Sequence, residues 1–234
     1  MNRLEFLGGV AGVAFVPRQA RGPEPVLSSV EGIPQDEDAA QDDITDPATQ
    51  AQTQALRVLL GNGQAQRIDG QTFLFNGRRY RGAFSIVEND VVVNTLPLEA
   101  YLLSVVSREM PHSWPDRALQ AQAIVARTYV LQRSNPNRAY DLVPSEANQV
   151  YTGIDAEHPE TTAAVDATAG QVLRYGNAFA QVLYSSCCGG HTESNGNAWG
   201  GLQIAYLSGV QCDYCAASPW YKWSQHIPIA QMQQ

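Results

Sequence analysis

The chain has 234 residues, of which 44% are hydrophobic and 9% aromatic, so it holds enough apolar side chain for a sizeable core. Its formal net charge is −8, and residues 22–55 alone carry eight Asp and Glu and no Lys or Arg, which leaves the remainder nearly neutral. Phosphate contacts need clustered Lys and Arg, so this composition argues against nucleic-acid binding.

The first residues resemble a secretory signal. Arg3 precedes an apolar run at residues 7–16, which is too short to cross a bilayer as a helix. Glu5 and the lack of a small-x-small cleavage site argue against a signal, and the alternative is a non-functional N-terminus. We predict a signal segment over residues 1–21, an acidic disordered linker over 22–55 and one folded domain over 56–234. Export would place the protein in the cell envelope, periplasmic or extracellular, without a further transmembrane helix.

Short β-branched and aromatic runs begin the domain, at residues 56–60, 72–75, 79–87 and 90–96. Asn76-Gly77 stands between two of them, and Asn-Gly between strands is a hairpin signal. These runs predict a small antiparallel β region.

Two helices are predicted next. Residues 98–110 have apolar side chains at helical spacing, and Pro111 ends this helix because the residue before a proline is pushed out of the α region. Ser113 offers a cap for the second helix, which has Pro115 in its first turn and runs to about Arg133.

The rest of the chain is predicted to be short elements followed by loops. A strand is expected at residues 140–143, a short helix at 161–169 and a second hairpin around Gly176-Asn177. The fold class is therefore α+β, with small antiparallel β regions packed around two central helices and a loop-rich C-terminal part.

Glu109 is the candidate catalytic residue. It continues the apolar spacing of the first helix, and it lies in the last turn, where the helix dipole disfavours an anion. An apolar environment raises the pKa of a carboxyl group, as a general acid at neutral pH requires. The alternative is a buried structural ion pair with Arg117 or Arg127.

Residues 184–192, Tyr-Ser-Ser-Cys-Cys-Gly-Gly-His-Thr, form a candidate sugar-binding segment. Paired glycines let the backbone approach a ligand, and the hydroxyl groups can bind a polyol, although a tight hairpin turn explains them equally well. An aromatic group near the C-terminus either stacks on sugar rings or forms a core or lid. Its members are Trp199, Trp220, Tyr221 and Trp223.

The cysteines lie in the last quarter of the chain. Cys188-x-x-His191 and Cys212-x-x-Cys215 have the spacing of a tetrahedral zinc site. Disulfides are the alternative in an exported protein, for example from Cys188 to Cys212 or Cys215, with Cys187 as another partner. A set of four protein ligands indicates a closed structural site rather than a catalytic one.

Taken together, these residues resemble the stage II sporulation protein D and amidase-enhancer family over about residues 56–223. The matching motifs begin with Leu-Pro-Leu-Glu-Ala-Tyr and end at Glu-Met-Pro, over residues 96–111. They continue at residues 114–115, 118–129, 149–153, 164–170, 184–192 and 218–223. Family members usually extend beyond the last motif, so we expect this chain to be truncated.

The resemblance implies a peptidoglycan lytic transglycosylase. Such an enzyme cleaves MurNAc–GlcNAc bonds of glycan strands from which an amidase has removed the stem peptides, with Glu109 as its single acid and base and with no cofactor required for catalysis. Some members hold a structural zinc near the Gly-Gly motif. The alternative function is a non-catalytic wall-binding module that recruits or enhances an amidase. The motif residues implied in glycan binding are Arg127, Tyr129, Gln149, Tyr151, Tyr184, Ser185, Ser186, Gly189, Gly190 and Thr192.

Overall fold

The computed structural model of the protein describes residues 55–222 and Ser224. The predicted signal segment and all but the last residue of the predicted linker lie outside these residues. The chain divides into two compact units, one ending at Ala180 and the other beginning at Gln181. Helices and small antiparallel sheets occur together, which confirms the α+β class. Within the described residues, no helix combines the length and hydropathy needed to span a bilayer.

The N-terminal unit contains eight strands and three α-helices among its described residues. In chain order they are β1 (Ala55–Asn62), β2 (Ala65–Arg67), β3 (Thr72–Phe75), β4 (Arg78–Arg81), β5 (Ala83–Val87), β6 (Val91–Pro97), α1 (Leu98–Glu109), α2 (Asp116–Arg133), α3 (Pro159–Ala167), β7 (Arg174–Tyr175) and β8 (Ala178–Phe179). Single 3-10 turns occur at Glu88–Asp90 and Ile154–Ala156.

All strand pairs in these sheets are antiparallel. The first sheet has the order β1-β6-β5, the second has the order β2-β3-β4, and β7 pairs with β8 alone. Both predicted hairpins form. In the β3–β4 turn, Asn76 and Gly77 have φ values of 47° and 78°, the left-handed backbone that an Asn-Gly turn favours.

Three sequence-based expectations for the strands need correction. The predicted strand at residues 79–87 is two strands in different sheets, because the chain turns at Gly82. A Cβ there would lie 2.3 Å from the carbonyl oxygen of Thr95, so only glycine fits at φ 89°. The predicted strand at residues 140–143 forms only one parallel bridge, from Leu142 to Val58. The strand β2 was missed because its three residues carry no period-two pattern.

The central helices form where the sequence predicts them. Helix α1 ends at Glu109 because Met110, before Pro111, is extended at φ −143° and ψ 136°. Helix α2 begins without the predicted Ser113 cap, since Pro115 is its N-cap residue and no side chain caps it. Helix α1 packs against α2, and α3 packs against both. Their apolar residues join those of the strands in one core of this unit.

The C-terminal unit is mostly loops, as predicted. Its α-helix in the described residues is α4 (Asn195–Trp199), where the Ser194 side chain accepts a hydrogen bond from the Asn197 N–H at 3.2 Å. Two 3-10 turns follow at Ala205–Leu207 and Tyr214–Ala217. His191 and Gln211 form one antiparallel bridge, which brings the Gly-Gly segment beside the second cysteine pair.

Candidate functional site

Glu109 is the last residue of α1, and its side chain is half-buried. Its Oε1 accepts a hydrogen bond from the backbone N–H of Val150 at 3.0 Å. The helix ends immediately afterwards, so the carboxyl group lies at the C-terminal edge of α1. The donor is a main-chain N–H whose position is set by the fold, so this hydrogen bond orients the carboxyl group.

The segment that supplies Val150 runs along one side of α1. The Tyr101 hydroxyl donates to Oε1 of Gln149 at 3.2 Å, and the Thr152 N–H donates to the Ser104 hydroxyl at 3.3 Å. Farther along, Nε of Arg108 donates to Oγ1 of Thr152 at 2.8 Å. Tyr101, Ser104 and Arg108 lie about one turn apart on one face of the helix, so the 149–152 segment is anchored along most of its length.

Gln149 and Tyr151 belong to this framework, which differs from the substrate-binding role that the resemblance implies. Gln149 is fully buried, and Nε2 donates to the carbonyl oxygen of Ala126 at 3.4 Å. Tyr151 is 2% exposed, and its hydroxyl donates to Oδ1 of Asn94 at 2.9 Å. Burial raises the pKa of the Tyr151 hydroxyl, which stays neutral. Neither side chain reaches the surface of this unit, so direct contact with a glycan would need a rearrangement.

Arg127 is also internal. Its side chain has no exposed surface, and Nε and Nη2 each donate to a carboxylate oxygen of Glu99 at 2.7 Å. Nη1 donates to the carbonyl oxygen of Gln171 at 3.1 Å. The predicted alternative in which Arg127 neutralises Glu109 is therefore wrong, because Glu99 is its carboxylate partner. Arg117, the other predicted partner, is exposed.

Tyr129, on α2, is 7% exposed and lies under another side chain. The guanidinium carbon of Arg133 is 3.7 Å from the centre of its ring, and the Asn148 amide donates to its hydroxyl at 3.3 Å. Like Arg127, it is part of the packed interior rather than of an open surface.

The Gly-Gly segment of the C-terminal unit is more open. Ser185, Ser186 and Gly189 are exposed, and Tyr184 and Gly190 are half-buried. Gly190 has φ 103°, and a Cβ there would lie 3.0 Å from the Tyr221 hydroxyl, so this backbone needs glycine.

Thr192 is the last residue of the Gly-Gly segment, and its side chain is buried. It is 7% exposed, and its hydroxyl accepts from the Val210 N–H at 2.8 Å. Of the predicted polyol-binding hydroxyls, those of Ser185 and Ser186 belong to exposed residues, whereas that of Thr192 is hydrogen-bonded within the protein.

Three of the four predicted zinc ligands come together. The Cys188 and Cys215 sulfurs are 3.2 Å apart, those of Cys212 and Cys215 are 3.6 Å apart, and all three lie within 4.8 Å of one another. In tetrahedral zinc coordinated by sulfur at about 2.3 Å, neighbouring sulfurs are roughly 3.8 Å apart, so the three thiols fit such a site. The separations exceed the roughly 2.05 Å of a disulfide, and all four cysteines are free.

His191 is not part of this cluster, which corrects the predicted ligand set. Its main chain pairs with Gln211, the residue before Cys212. Cys187, the neighbour of Cys188 in sequence, also lies outside this cluster, so the cluster itself supplies three thiols.

Sequence reasoning missed the residues that position Glu109. Val150 acts through its backbone N–H, which leaves no side-chain signal, and Ser104 is an unremarkable helix position. The stacking of the His112 ring on the His158 ring was missed as well, because 46 residues separate the two histidines in sequence. Only the fold brings such pairs together.

Comparison with protein-family models matches residues 88–175 to the family described as SpoIID, Stage II sporulation protein. The matched segment includes α1, Glu109 and the 149–152 segment that anchors it.

Several curated bacterial proteins are similar in sequence. A stage II sporulation protein D of Bacillus subtilis is 31% identical over 172 residues, covering 66% of this chain and 48% of the relative. An uncharacterised protein of Brachyspira hyodysenteriae is 37% identical over 156 residues, covering 63% of this chain and 42% of the relative. An amidase enhancer of Bacillus subtilis is 37% identical over 107 residues, covering 45% of this chain and 14% of the relative. The chain thus spans less than half the length of these relatives.

Proposed function

Since this chain carries a stage II sporulation protein (SpoIID) domain, we propose that it acts on the bacterial cell wall as a peptidoglycan lytic transglycosylase, with Glu109 as its catalytic acid and base. The substrate is the MurNAc–GlcNAc bond of glycan strands without stem peptides. Export to the cell envelope accompanies this function, because peptidoglycan lies outside the cytoplasmic membrane.

The geometry of Glu109 carries the proposal. Its carboxyl group is half-buried at the end of a helix, where it accepts a hydrogen bond from the Val150 N–H at 3.0 Å. A carboxylate that served only to stabilise the fold would be better placed at the helix N-terminus, where the dipole favours an anion. A polar group held in one orientation is suited to proton transfer.

One carboxyl group is sufficient for this reaction. A neutral acid whose Oε1 accepts the Val150 hydrogen bond carries its proton on Oε2 and gives it to the glycosidic oxygen as the bond from that oxygen to C1 of MurNAc breaks. The C6 hydroxyl of the same sugar then bonds to C1, and its proton returns to Glu109. The product is a 1,6-anhydro sugar, no water is consumed, and the acid is restored. Glycosidases that use water generally need a second carboxylate.

The intramolecular nucleophile contributes in a second way. The C6 hydroxyl is covalently attached to the sugar that it attacks, so it has a high effective molarity and needs little help in positioning. The protein must therefore place one proton and hold the strand, which agrees with a site built around a single fixed carboxyl group.

The cysteine cluster has a structural role in this proposal. Cys188, Cys212 and Cys215 supply three thiolate ligands for zinc, and the fourth would come from Cys187 or His191 after its side chain moves toward the cluster. The ion would crosslink loops that have few buried apolar residues, and catalysis would not require it. The exposed Ser185 and Ser186 lie directly before these cysteines and are the proposed glycan contacts in the C-terminal unit.

A second candidate function is favoured by the similarity to an amidase enhancer. In that case the chain binds the wall and recruits or stimulates an amidase without cutting glycan itself. The two functions differ in their products, since only a transglycosylase releases anhydro sugars in the absence of an amidase.

The test is a digest of purified, peptide-free glycan strands, read by mass spectrometry. We expect the wild-type protein to release 1,6-anhydro products and Glu109→Gln to release them about two to four orders of magnitude more slowly, because the amide cannot exchange the proton. Glu146→Gln is the matched control, since it makes the same change at an exposed glutamate. Products at the wild-type rate from Glu109→Gln would refute its role, and stimulation of an amidase without any anhydro product would favour the second function.

A further inference from the structure

Two histidines and one glutamate form a surface cluster in the N-terminal unit, apart from the residues described above. The ligand atoms of His112, His158 and Glu160 all lie within 4.8 Å of one another. The two imidazole rings stack with centroids 3.6 Å apart and planes 6° apart. Both Nδ1 atoms face the same carboxylate oxygen, Oε2 of Glu160, at 3.2 Å from His158 and 3.8 Å from His112.

The backbone fixes where these side chains begin. His112 is the second residue of a turn in which the Trp114 N–H donates to the Pro111 carbonyl at 3.0 Å. His158 is the N-cap residue of α3, and its carbonyl oxygen accepts the Thr162 N–H at 2.9 Å. Glu160 lies in the first turn of the same helix. The three side chains therefore come from two short, hydrogen-bonded segments rather than from long loops.

We propose that His112, His158 and Glu160 form a binding site for a divalent transition metal of the zinc class. Imidazole nitrogen and carboxylate oxygen are ligands that zinc, copper and nickel accept. Zinc bound at about 2.0–2.1 Å in a tetrahedron holds neighbouring ligand atoms roughly 3.3 Å apart. The observed 3.2 and 3.8 Å separations between the nitrogens and the Glu160 oxygen lie close to that spacing, and the stacked rings must turn to direct both Nδ1 lone pairs at one ion.

Exposure makes those movements feasible. The side chains of His112, His158 and Glu160 are 47%, 44% and 52% exposed, so the rings can turn to direct both Nδ1 lone pairs at one ion and water can complete its coordination.

The three ligands come from two different parts of the N-terminal unit, so a bound ion would link them. His112 is three residues after Glu109, in the turn between α1 and α2, whereas the other two ligands belong to α3. A bound ion would therefore tie the segment that follows Glu109 to the start of α3. The site does not depend on the proposed transglycosylase activity, and it uses none of the cysteines.

The experiment measures chemical modification of individual histidines in the full chain. The protein is treated with diethylpyrocarbonate at increasing zinc chloride concentrations, and each histidine is followed by peptide mass spectrometry. A metal on Nδ1 leaves the ring proton on Nε2, so neither nitrogen keeps a lone pair to react. We expect zinc to protect His112 and His158 together in the wild-type protein and in the control Glu146→Gln.

Glu160→Gln is the decisive variant, because the change is nearly isosteric, exposed and remote from the core. Loss of a direct ligand should raise the zinc concentration for half-protection at least tenfold, since even outer-shell changes commonly cost about 10- to 100-fold. His112→Asn should release His158 from protection as well, because the two ligands share one ion. The proposal is overturned if zinc protects neither histidine, or if the half-protection concentration is the same in Glu160→Gln and Glu146→Gln.

Discussion

The buried ion pair between Arg127 and Glu99 offers a sharp test of the domain's internal framework. The change Glu99→Gln keeps the shape of the side chain but removes its charge and one of two acceptors. Arg127 has no exposed surface, so its guanidinium would stay buried without a counter-charge. The carbonyl oxygens of Gln171 and Val165 would still accept hydrogen bonds from it, at 3.1 and 3.4 Å.

The expected loss of stability follows from that geometry. Breaking a buried ion pair by removing one partner costs about 3–5 kcal/mol. The Glu99 side chain is 25% exposed and Gln retains one acceptor, so the loss should extend somewhat below this range. We expect the free energy of unfolding to fall by about 2–4 kcal/mol. Gln is less favourable than Glu in the first turn of α1 by only about 0.3–1 kcal/mol, so the dipole alone cannot produce this loss.

Urea unfolding followed by circular dichroism measures the difference. Glu146→Gln is the control, and as an exposed substitution it should change stability by less than about 0.5 kcal/mol. If Glu99→Gln is as stable as this control, Arg127 does not depend on Glu99. A raised KM for glycan strands with unchanged stability would instead restore the substrate-binding role that the sequence motif implied.

The remaining predictions concern the substrate, the cysteines and acid stability. Intact peptidoglycan should be cut poorly until an amidase acts, because stem peptides collide with a narrow groove, and equal rates on intact and stripped strands would contradict this. Protein purified without chelator should hold at least one zinc ion, and Cys188→Ser should remove it. All four thiols should be titratable after denaturation. A protein with no metal and no titratable thiols would instead contain disulfides. Burial alone would raise the pKa of Asp141, but hydrogen bonds from Arg57 lower it below the usual 3.8, so this carboxylate stabilises the fold fully above that pH. The contribution is lost as the pH falls through the lower folded-state value, and Asp141→Asn should therefore flatten the acid limb of stability against pH.

Local sequence determined the elements around the catalytic candidate. The apolar spacing of residues 98–106 produced α1, Pro111 ended it after Glu109, and Asn76-Gly77 produced a hairpin. These features depend on interactions within a few residues, so a sequence specifies them directly. The motifs also predicted the resemblance to the stage II sporulation protein family, whose model matches residues 88–175.

Tertiary structure decided which motif residues are buried and which groups they contact. Arg127, Gln149 and Tyr151 carry polar groups suited to a ligand, yet the fold buries them against partners 28, 48 and 57 residues away in sequence. The same long-range pairing gave Glu109 its backbone donor and brought three cysteines together without His191. Burial and side-chain direction depend on which distant segments pack together, and no local pattern encodes that choice.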